Sequence, residues 1–190
     1  ACEMLYGFTK TFFITMPLLA ELPISSYLSS VAEKKPVPGG GAVAAIVGAE
    51  ACALQTKVAI FSSNSETAPL VESSLKTQRK FLELAEEDSK AFLALMSNGK
   101  KSENREKLLI GAARVPVQVL RMCVLQVSNL KALLKKGNPN LVSDLGISAL
   151  LLISSIKSSL LNIKINTKSI KVVPKDILQA ELQAERALEE

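Results

Sequence analysis

Long segments whose apolar residues recur with the period of an α-helix, separated by glycine- and proline-rich breaks, dominate this chain of 190 residues. No segment alternates convincingly between apolar and polar residues, as a half-buried strand does. The pattern predicts helices over residues 24–34, 42–61, 70–97, 103–136 and 141–167, and a last helix opened by Pro174. The expected fold class is therefore all-α, a single antiparallel bundle of five or six helices.

A chain of this length suits one domain, which we expect to occupy residues 21–190. Residues 1–20 are expected to be an N-terminal extension that is partly non-native. Their apolar stretch lacks the basic start of a signal peptide, and Met16 offers an internal start.

The 42–61 segment is long enough to span a membrane, but it carries Glu50, Gln55 and Lys57. Three such groups are rare in a span, so a buried helix is favoured and no membrane partner is expected. A helical membrane-associated scaffold stays an alternative that rests only on the 48% apolar composition and the N-terminal apolar stretch.

The chain contains no histidine, which excludes histidine-containing catalytic triads, Cys–His dyads and histidine zinc sites. Its three cysteines, Cys2, Cys52 and Cys123, are widely spaced, which argues against a disulfide framework or a metal cluster. The cysteines in apolar runs, Cys52 and Cys123, are expected to be small core residues of a cytoplasmic protein without a metal.

The net charge is +5, yet no run of four basic residues occurs and aromatic residues make up only 4%. These features argue against a nucleic-acid partner. The positive charge favours a small anionic ligand, or is simply a solvated lysine-rich surface.

The glycine triplet Gly39, Gly40 and Gly41 stands just before the predicted 42–61 helix. It formally matches a dinucleotide-binding pattern, but no strand is predicted before it. A glycine loop that leads into a helix presents free N–H groups to an anion or a ligand carbonyl. A tight turn that allows close packing is the alternative.

A polar stripe runs along the 141–167 helix on an arc of about 100°, opposite Lys157 and Lys164. Its members are Asp144, Ser148, Ser155, Ser158, Ser159, Asn162 and Asn166. Because the lysines mark the solvated face, the stripe is expected to point into the protein or into a cleft that holds a polar ligand. A second solvated stripe at the edge of the bundle is the alternative.

Asp88 lies in the middle of an apolar helix face that includes Phe81 and Leu84. A carboxylate in such surroundings is either a functional group with a shifted pKa or half of a structural ion pair. For the ion pair, Arg105 and Arg114 are the candidate partners.

Four motifs, in order along the chain, resemble the formiminotransferase–cyclodeaminase C-terminal family. They are residues 36–45 (PVPGGGAVAA), residues 87–92 (EDSKAF), Val115 with Pro116, and residues 137–144 (GNPNLVSD) followed by residues 160–166 (LLNIKIN). The resemblance covers roughly residues 22–170 and departs from the family pattern at Ala42 and Arg114.

The resemblance implies an all-helical homodimer that binds a tetrahydrofolate derivative near the subunit interface and needs no prosthetic group. It implies cyclodeamination of 5-formimidoyltetrahydrofolate to 5,10-methenyltetrahydrofolate with release of ammonia, a step of histidine degradation. Methenyltetrahydrofolate cyclohydrolase activity, or a folate-binding or structural homologue without turnover, are the alternatives.

The resemblance also assigns site residues. Asp88 and Asp144 are the expected catalytic residues, and the expected substrate-binding residues are Gly39, Gly40, Gly41, Asn138, Asn140, Asn162 and Asn166. Asp144, at the start of its helix, is expected to be ionised and to stabilise positive charge, whereas Asp88 carries protons. Asp144 and Asn162 are expected to line one cavity.

Overall fold

A computed structural model describes residues 18–98 and 104–189 of the chain. Within these ranges it contains six α-helices, two short 3-10 turns at Leu19–Glu21 and Pro139–Leu141, and no strand. The helices are α1 (Ile24–Ala32), α2 (Gly40–Ser62), α3 (Ala68–Ser97), α4 (Arg105–Lys136), α5 (Val142–Thr167) and α6 (Lys175–Glu189). The predicted all-α bundle is confirmed. Of the expected N-terminal extension, residues 1–17, which include Cys2, lie outside the described residues.

Glycines allow α2 and α3 to approach closely in antiparallel order. The ring of Phe81 on α3 lies against Gly48 of α2, and the Asp88 carboxylate lies against Gly41. A Cβ atom at either glycine would overlap the facing side chain. The two contacts are seven residues apart on both helices and run in opposite directions, which fixes the register of the pair.

Serine hydroxyl groups set the register between α2 and α5. Ser148 Oγ donates to the carbonyl oxygen of Ala51 at 3.0 Å, and Ser155 Oγ donates to that of Ala44 at 2.7 Å. Here too the contacts step seven residues in opposite directions, so α5 is antiparallel to α2. Helix α2 therefore packs against both α3 and α5.

The core is built from small and aliphatic residues of α2 to α6. Its fully buried members include Ala42, Cys52, Phe81, Leu84, Leu120, Cys123, Leu152, Ile156, Ile163 and Ile177. Burial raises the pKa of both the Cys52 and the Cys123 thiol to about 12. The two cysteines are buried and unpaired, as the sequence predicted.

A buried polar cluster crosses the middle of the bundle. Gln55 on α2 donates to Ser148 Oγ on α5 at 3.1 Å, and Gln126 on α4 donates to Thr77 Oγ1 on α3 at 2.9 Å. Asn129 donates to the amide oxygen of Gln126 at 2.9 Å. Because an unpaired amide in the core is costly, these bonds favour one alignment of the four helices.

Helices α2 and α4 and the segment Pro139–Thr167 are long and apolar enough to cross a membrane by length and composition. Each contributes side chains to the core. Helix α5 also leaves an apolar outward face exposed, consisting of Ile147, Leu150, Leu161 and Ile165. The absence of a membrane partner stays a prediction.

Candidate functional site

The glycine triplet forms the start of α2. Gly39 is its N-cap residue and supplies no side-chain hydrogen bond to the helix. The first N–H groups of a helix have no partner within the helix, and its N-terminus carries a partial positive charge. A Cβ atom at Gly40 would meet nothing within 4 Å, so the turn is open to an approaching group on that side.

Asp88 reaches this turn from α3. Burial raises the pKa of its carboxyl group, and a hydrogen bond from the backbone N–H of Ala42 opposes part of that rise. The carboxylate fills the space that a side chain at position 41 would occupy. The contact between the glycine triplet and Asp88 was not predicted, although each was a candidate by itself.

Charged neighbours of Asp88 point elsewhere. Glu87 accepts a hydrogen bond from Lys80 at 3.1 Å, and Glu86 accepts one from the backbone N–H of Leu19. Arg114 is one of the two candidate partners of Asp88, but its Nε lies 3.8 Å from Asp176 Oδ2 instead. The interactions described at the Asp88 carboxylate are thus those with the start of α2.

Asn162 and Asn166 belong to the same end of the bundle. Ser155 is level with Ala44, and Asn162 lies two turns further along α5, which places it level with the loop before α2. Both asparagines are partly buried, and neither side-chain amide bonds to another of the described residues. Their donors and acceptors are therefore available to a ligand at the glycine loop.

Asp144 lies at the opposite end of α2. Its carboxylate accepts a hydrogen bond from Lys57 Nζ at 3.0 Å. Lys57 follows Gly41 by sixteen residues, or about 24 Å of helix. Asp144 and Asn162 are likewise eighteen residues apart on α5, about 27 Å. The expectation that they line one cavity is therefore corrected, since one chain cannot bring both to a single reacting atom.

Asn138 holds the turn before α5 in place. Its Oδ1 accepts from the N–H of Asn140 at 3.0 Å, and its Nδ2 donates to the carbonyl oxygen of Phe61 at 3.3 Å. Its own N–H donates to Ser62 Oγ at 2.8 Å. These bonds attach the turn to the end of α2, so Asn138 and the exposed Asn140 lie with Asp144 and not with the glycine loop.

The polar stripe of α5 faces inward, as predicted, but two of its serines, Ser148 and Ser155, do not line a cleft. Ser148 and Ser155 donate to main-chain carbonyls of α2, and the Cys123 thiol lies 3.2 Å from Ser155 Oγ. Where two helices pack closely, a serine hydroxyl can donate a hydrogen bond to a main-chain carbonyl oxygen of the neighbouring helix in this way. At these two serines the stripe is a packing interface, and the cleft interpretation is corrected there.

Lys57 was missed as a site residue, because a single sequence does not indicate which lysine faces Asp144.

Within residues 18–98 and 104–189, no group of three or more Cys, Asp or Glu side chains is placed to hold a metal ion. The expectation of a metal-free site stays a prediction.

The outer side of α3 borders a cavity of about 560 Å³, lined in part by Arg79, Glu83, Glu86 and Lys90. Asp88 points away from this cavity, toward α2. No residue of α2 lines the cavity, so it is separate from the glycine-loop site, which consists of Gly39, Gly40 and Gly41 with Asp88.

These features define a helical domain in which one partly buried carboxylate contacts a glycine turn at the start of a helix. Residues 23–179 match the family model described as formiminotransferase-cyclodeaminase, and the chain belongs to this family. The resemblance seen in the motifs is confirmed.

Two relatives are informative. The structure of a formiminotetrahydrofolate cyclodeaminase from Thermotoga maritima superposes with a TM-score of 0.86 at 34% identity, covering 90% of this chain and 92% of that one. A methenyltetrahydrofolate cyclohydrolase of Methylorubrum extorquens is 28% identical over 166 residues, which are 77% of this chain and 80% of the relative.

Proposed function

We propose that the chain is an enzyme of folate-dependent one-carbon chemistry that cyclises 5-formimidoyltetrahydrofolate to 5,10-methenyltetrahydrofolate and releases ammonia. The observation that carries this proposal is the partly buried Asp88 carboxyl group, which lies on the first turn of α2 and has a raised pKa. The cyclodeaminase relative, with 34% identity over 90% of this chain, supports the choice of reaction.

The chemistry requires a proton carrier. N10 of the folate attacks the formimidoyl carbon on N5, a five-membered ring closes, and the carbon–nitrogen bond to the departing amine breaks. N10 loses a proton and the departing nitrogen gains one. A carboxyl group whose pKa is raised above its ordinary value by burial can hold that proton between the two nitrogens.

Charge develops on the reacting carbon as well. The methenyl product is an amidinium-like cation shared between N5 and N10, and an ionised Asp88 beside it stabilises that charge. The amides of Asn162 and Asn166, with no partner among the described residues, supply donors and acceptors for the edge of the pterin ring. The glycine turn lets the ligand approach the backbone.

Asp144 takes part in the same site only if a second copy of the chain supplies it, because about 24 Å of α2 separates Lys57, its partner, from Gly41. We propose a homodimer for this reason. The exposed apolar residues of α5 and the nearby Ile60 and Phe61 of α2 offer a surface for it.

A cytoplasmic location is part of the proposal and rests on the unpaired Cys52 and Cys123.

Cyclohydrolase activity is the second candidate, favoured by the relative from Methylorubrum extorquens. There water adds to the same bridging carbon, and Asp88 accepts a proton from that water instead of delivering one to an amine. A folate-binding homologue without turnover is a third candidate, because Ala42 and Arg114 depart from the family pattern.

The test uses the near-ultraviolet absorbance of the methenyl compound. Appearance of this absorbance from 5-formimidoyltetrahydrofolate, with one ammonia per turnover, supports the cyclodeaminase. Disappearance of 5,10-methenyltetrahydrofolate faster than in a protein-free blank supports the cyclohydrolase. Folate binding without either change supports the inactive homologue and contradicts both enzymatic proposals.

A further inference from the structure

Ser159 on α5 is a buried hydroxyl group without a partner. Its side chain is 0% exposed, and its Oγ makes no hydrogen bond among the described residues. The two serines that precede it on the same inward face, Ser148 and Ser155, both donate to carbonyl oxygens of α2. A buried hydroxyl left unpaired costs stability, so the unpaired Ser159 hydroxyl calls for an explanation.

The register of the bundle places Ser159 at the glycine-loop site. Ser155 bonds to Ala44, and Ser159 lies four residues further along α5, level with the first turn of α2. The Asp88 carboxylate sits on Gly41 in that same turn. At 100° per residue, Gly41 and Ala44 point about 60° apart around α2, so Asp88 and Ser159 approach the turn from neighbouring sides.

We propose that Ser159 is a positioning residue of this site: in the ligand-bound enzyme its hydroxyl donates a hydrogen bond to the Asp88 carboxylate, directly or through one water molecule. This inference rests on the proposed function. In the structure, the carboxylate receives a hydrogen bond from the N–H of Ala42. A ligand that engages the N–H groups of the glycine turn displaces this bond, and Ser159 then holds the carboxylate beside the reacting carbon.

A matched control exists on α3. Ser74 is also 0% exposed, and its Oγ also lacks a hydrogen-bond partner among the described residues. It lies fourteen residues before Asp88, or about 21 Å away along the helix. Replacing Ser74 or Ser159 by alanine removes an equivalent unpaired hydroxyl and leaves no strained contact, so both variants are expected to unfold at or above the wild-type temperature.

The experiment compares kcat and KM of wild type, Ser159→Ala and Ser74→Ala in the full chain, with 5-formimidoyl- and 5,10-methenyltetrahydrofolate. Ser159→Ala is expected to lower kcat about 10-fold, the scale of one hydrogen bond to a charged group, with KM changed less than about 2-fold. Ser74→Ala is expected to match the wild type in both constants.

Equal kcat values for the two variants overturn the inference. A rise in KM for Ser159→Ala at unchanged kcat also overturns it, because that result indicates a ligand contact and not a positioning residue. A wild type that turns over neither folate overturns the proposed function and this inference with it. The wild-type measurement alone therefore separates the two failures.

Discussion

The carboxylate of Asp88 lies directly on the Cα of Gly41, where any side chain at position 41 would overlap it. One residue earlier, a Cβ atom at Gly40 would meet nothing within 4 Å. Two adjacent glycines therefore have different physical roles. Gly41 makes room for a functional group from another helix, whereas Gly40 leaves space open at the turn.

This contrast predicts that two alanine substitutions affect the stability of the fold differently. Gly41→Ala should push the Asp88 carboxylate off the turn, lower kcat by about 10²-fold and destabilise the fold by about 1–3 kcal/mol. Gly40→Ala, the matched control, should fold at least as stably as wild type, because alanine favours the helix. Steady-state kinetics and urea unfolding measure both effects. Equal losses of kcat in the two variants would contradict the role given to Gly41.

The raised pKa of Asp88 predicts how stability depends on pH. Because the pKa of Asp88 is raised above 3.8 in the folded protein, the folded state binds the proton more tightly than the unfolded chain does. The fold therefore loses stability as the pH rises from 3.8, the pKa in the unfolded chain, through the higher pKa of the folded state. Asp88→Asn removes this titration. The variant should therefore unfold at a higher temperature than wild type at neutral pH, with the difference vanishing below pH 3.8. Thermal unfolding across this range is the measurement, and a pH-independent difference contradicts it.

Burial and a pKa of about 12 predict that the thiols of Cys52 and Cys123 are inert in the folded protein. In a Cys2→Ser variant, a thiol-specific reagent at pH 8 should label neither cysteine until denaturant is added, and should then label both. Mass spectrometry counts the labels. Rapid labelling of either cysteine under native conditions would show that this part of the core opens readily.

The distance between the two proposed catalytic aspartates predicts complementation between inactive variants. If each site takes Asp88 from one chain and Asp144 from the other, Asp88→Asn and Asp144→Asn are both inactive as homodimers. Mixed dimers then carry one intact site, so unfolding and refolding the two variants together should restore up to about a quarter of the wild-type rate.

Light scattering gives the accompanying measurement, with a mass of twice 20.4 kDa expected for the wild type. A monomer at micromolar concentration contradicts the dimer proposal. A dimer without complementation removes Asp144 from the site and leaves it as the structural partner of Lys57. Leu150→Asp on the exposed face of α5 should shift the protein toward monomer, since it places a charge on the proposed contact surface.

The helices and their ends were predictable because their signals are local. Breaks such as the one at Gly137 and Asn138 act on a few neighbouring residues, and the predicted α5 differs from the observed one by a single residue. Periodicity likewise predicted which face of α5 turns inward. The partners across helices were not predictable, since the pairing of Lys57 with Asp144 depends on the register of α2 against α5.

The site was predictable only in part for the same reason. Asp88 and the glycine triplet were each singled out by their chemistry, but their contact depends on the close approach that Gly41 and Gly48 allow. Ser148 and Ser155 were misinterpreted as part of a ligand cleft, because a polar residue on an inward face does not reveal whether its partner is a ligand or a main-chain carbonyl.

Turnover by Asp88→Asn tests the central claim most directly. Wild type and variant are assayed by near-ultraviolet absorbance on 5-formimidoyltetrahydrofolate and on 5,10-methenyltetrahydrofolate, with the fold checked by circular dichroism. The account predicts that wild type converts one of the two, and that Asp88→Asn lowers kcat by about 10²-fold or more while folate affinity changes little, because asparagine keeps the shape. A correctly folded Asp88→Asn variant with the full wild-type rate would contradict it.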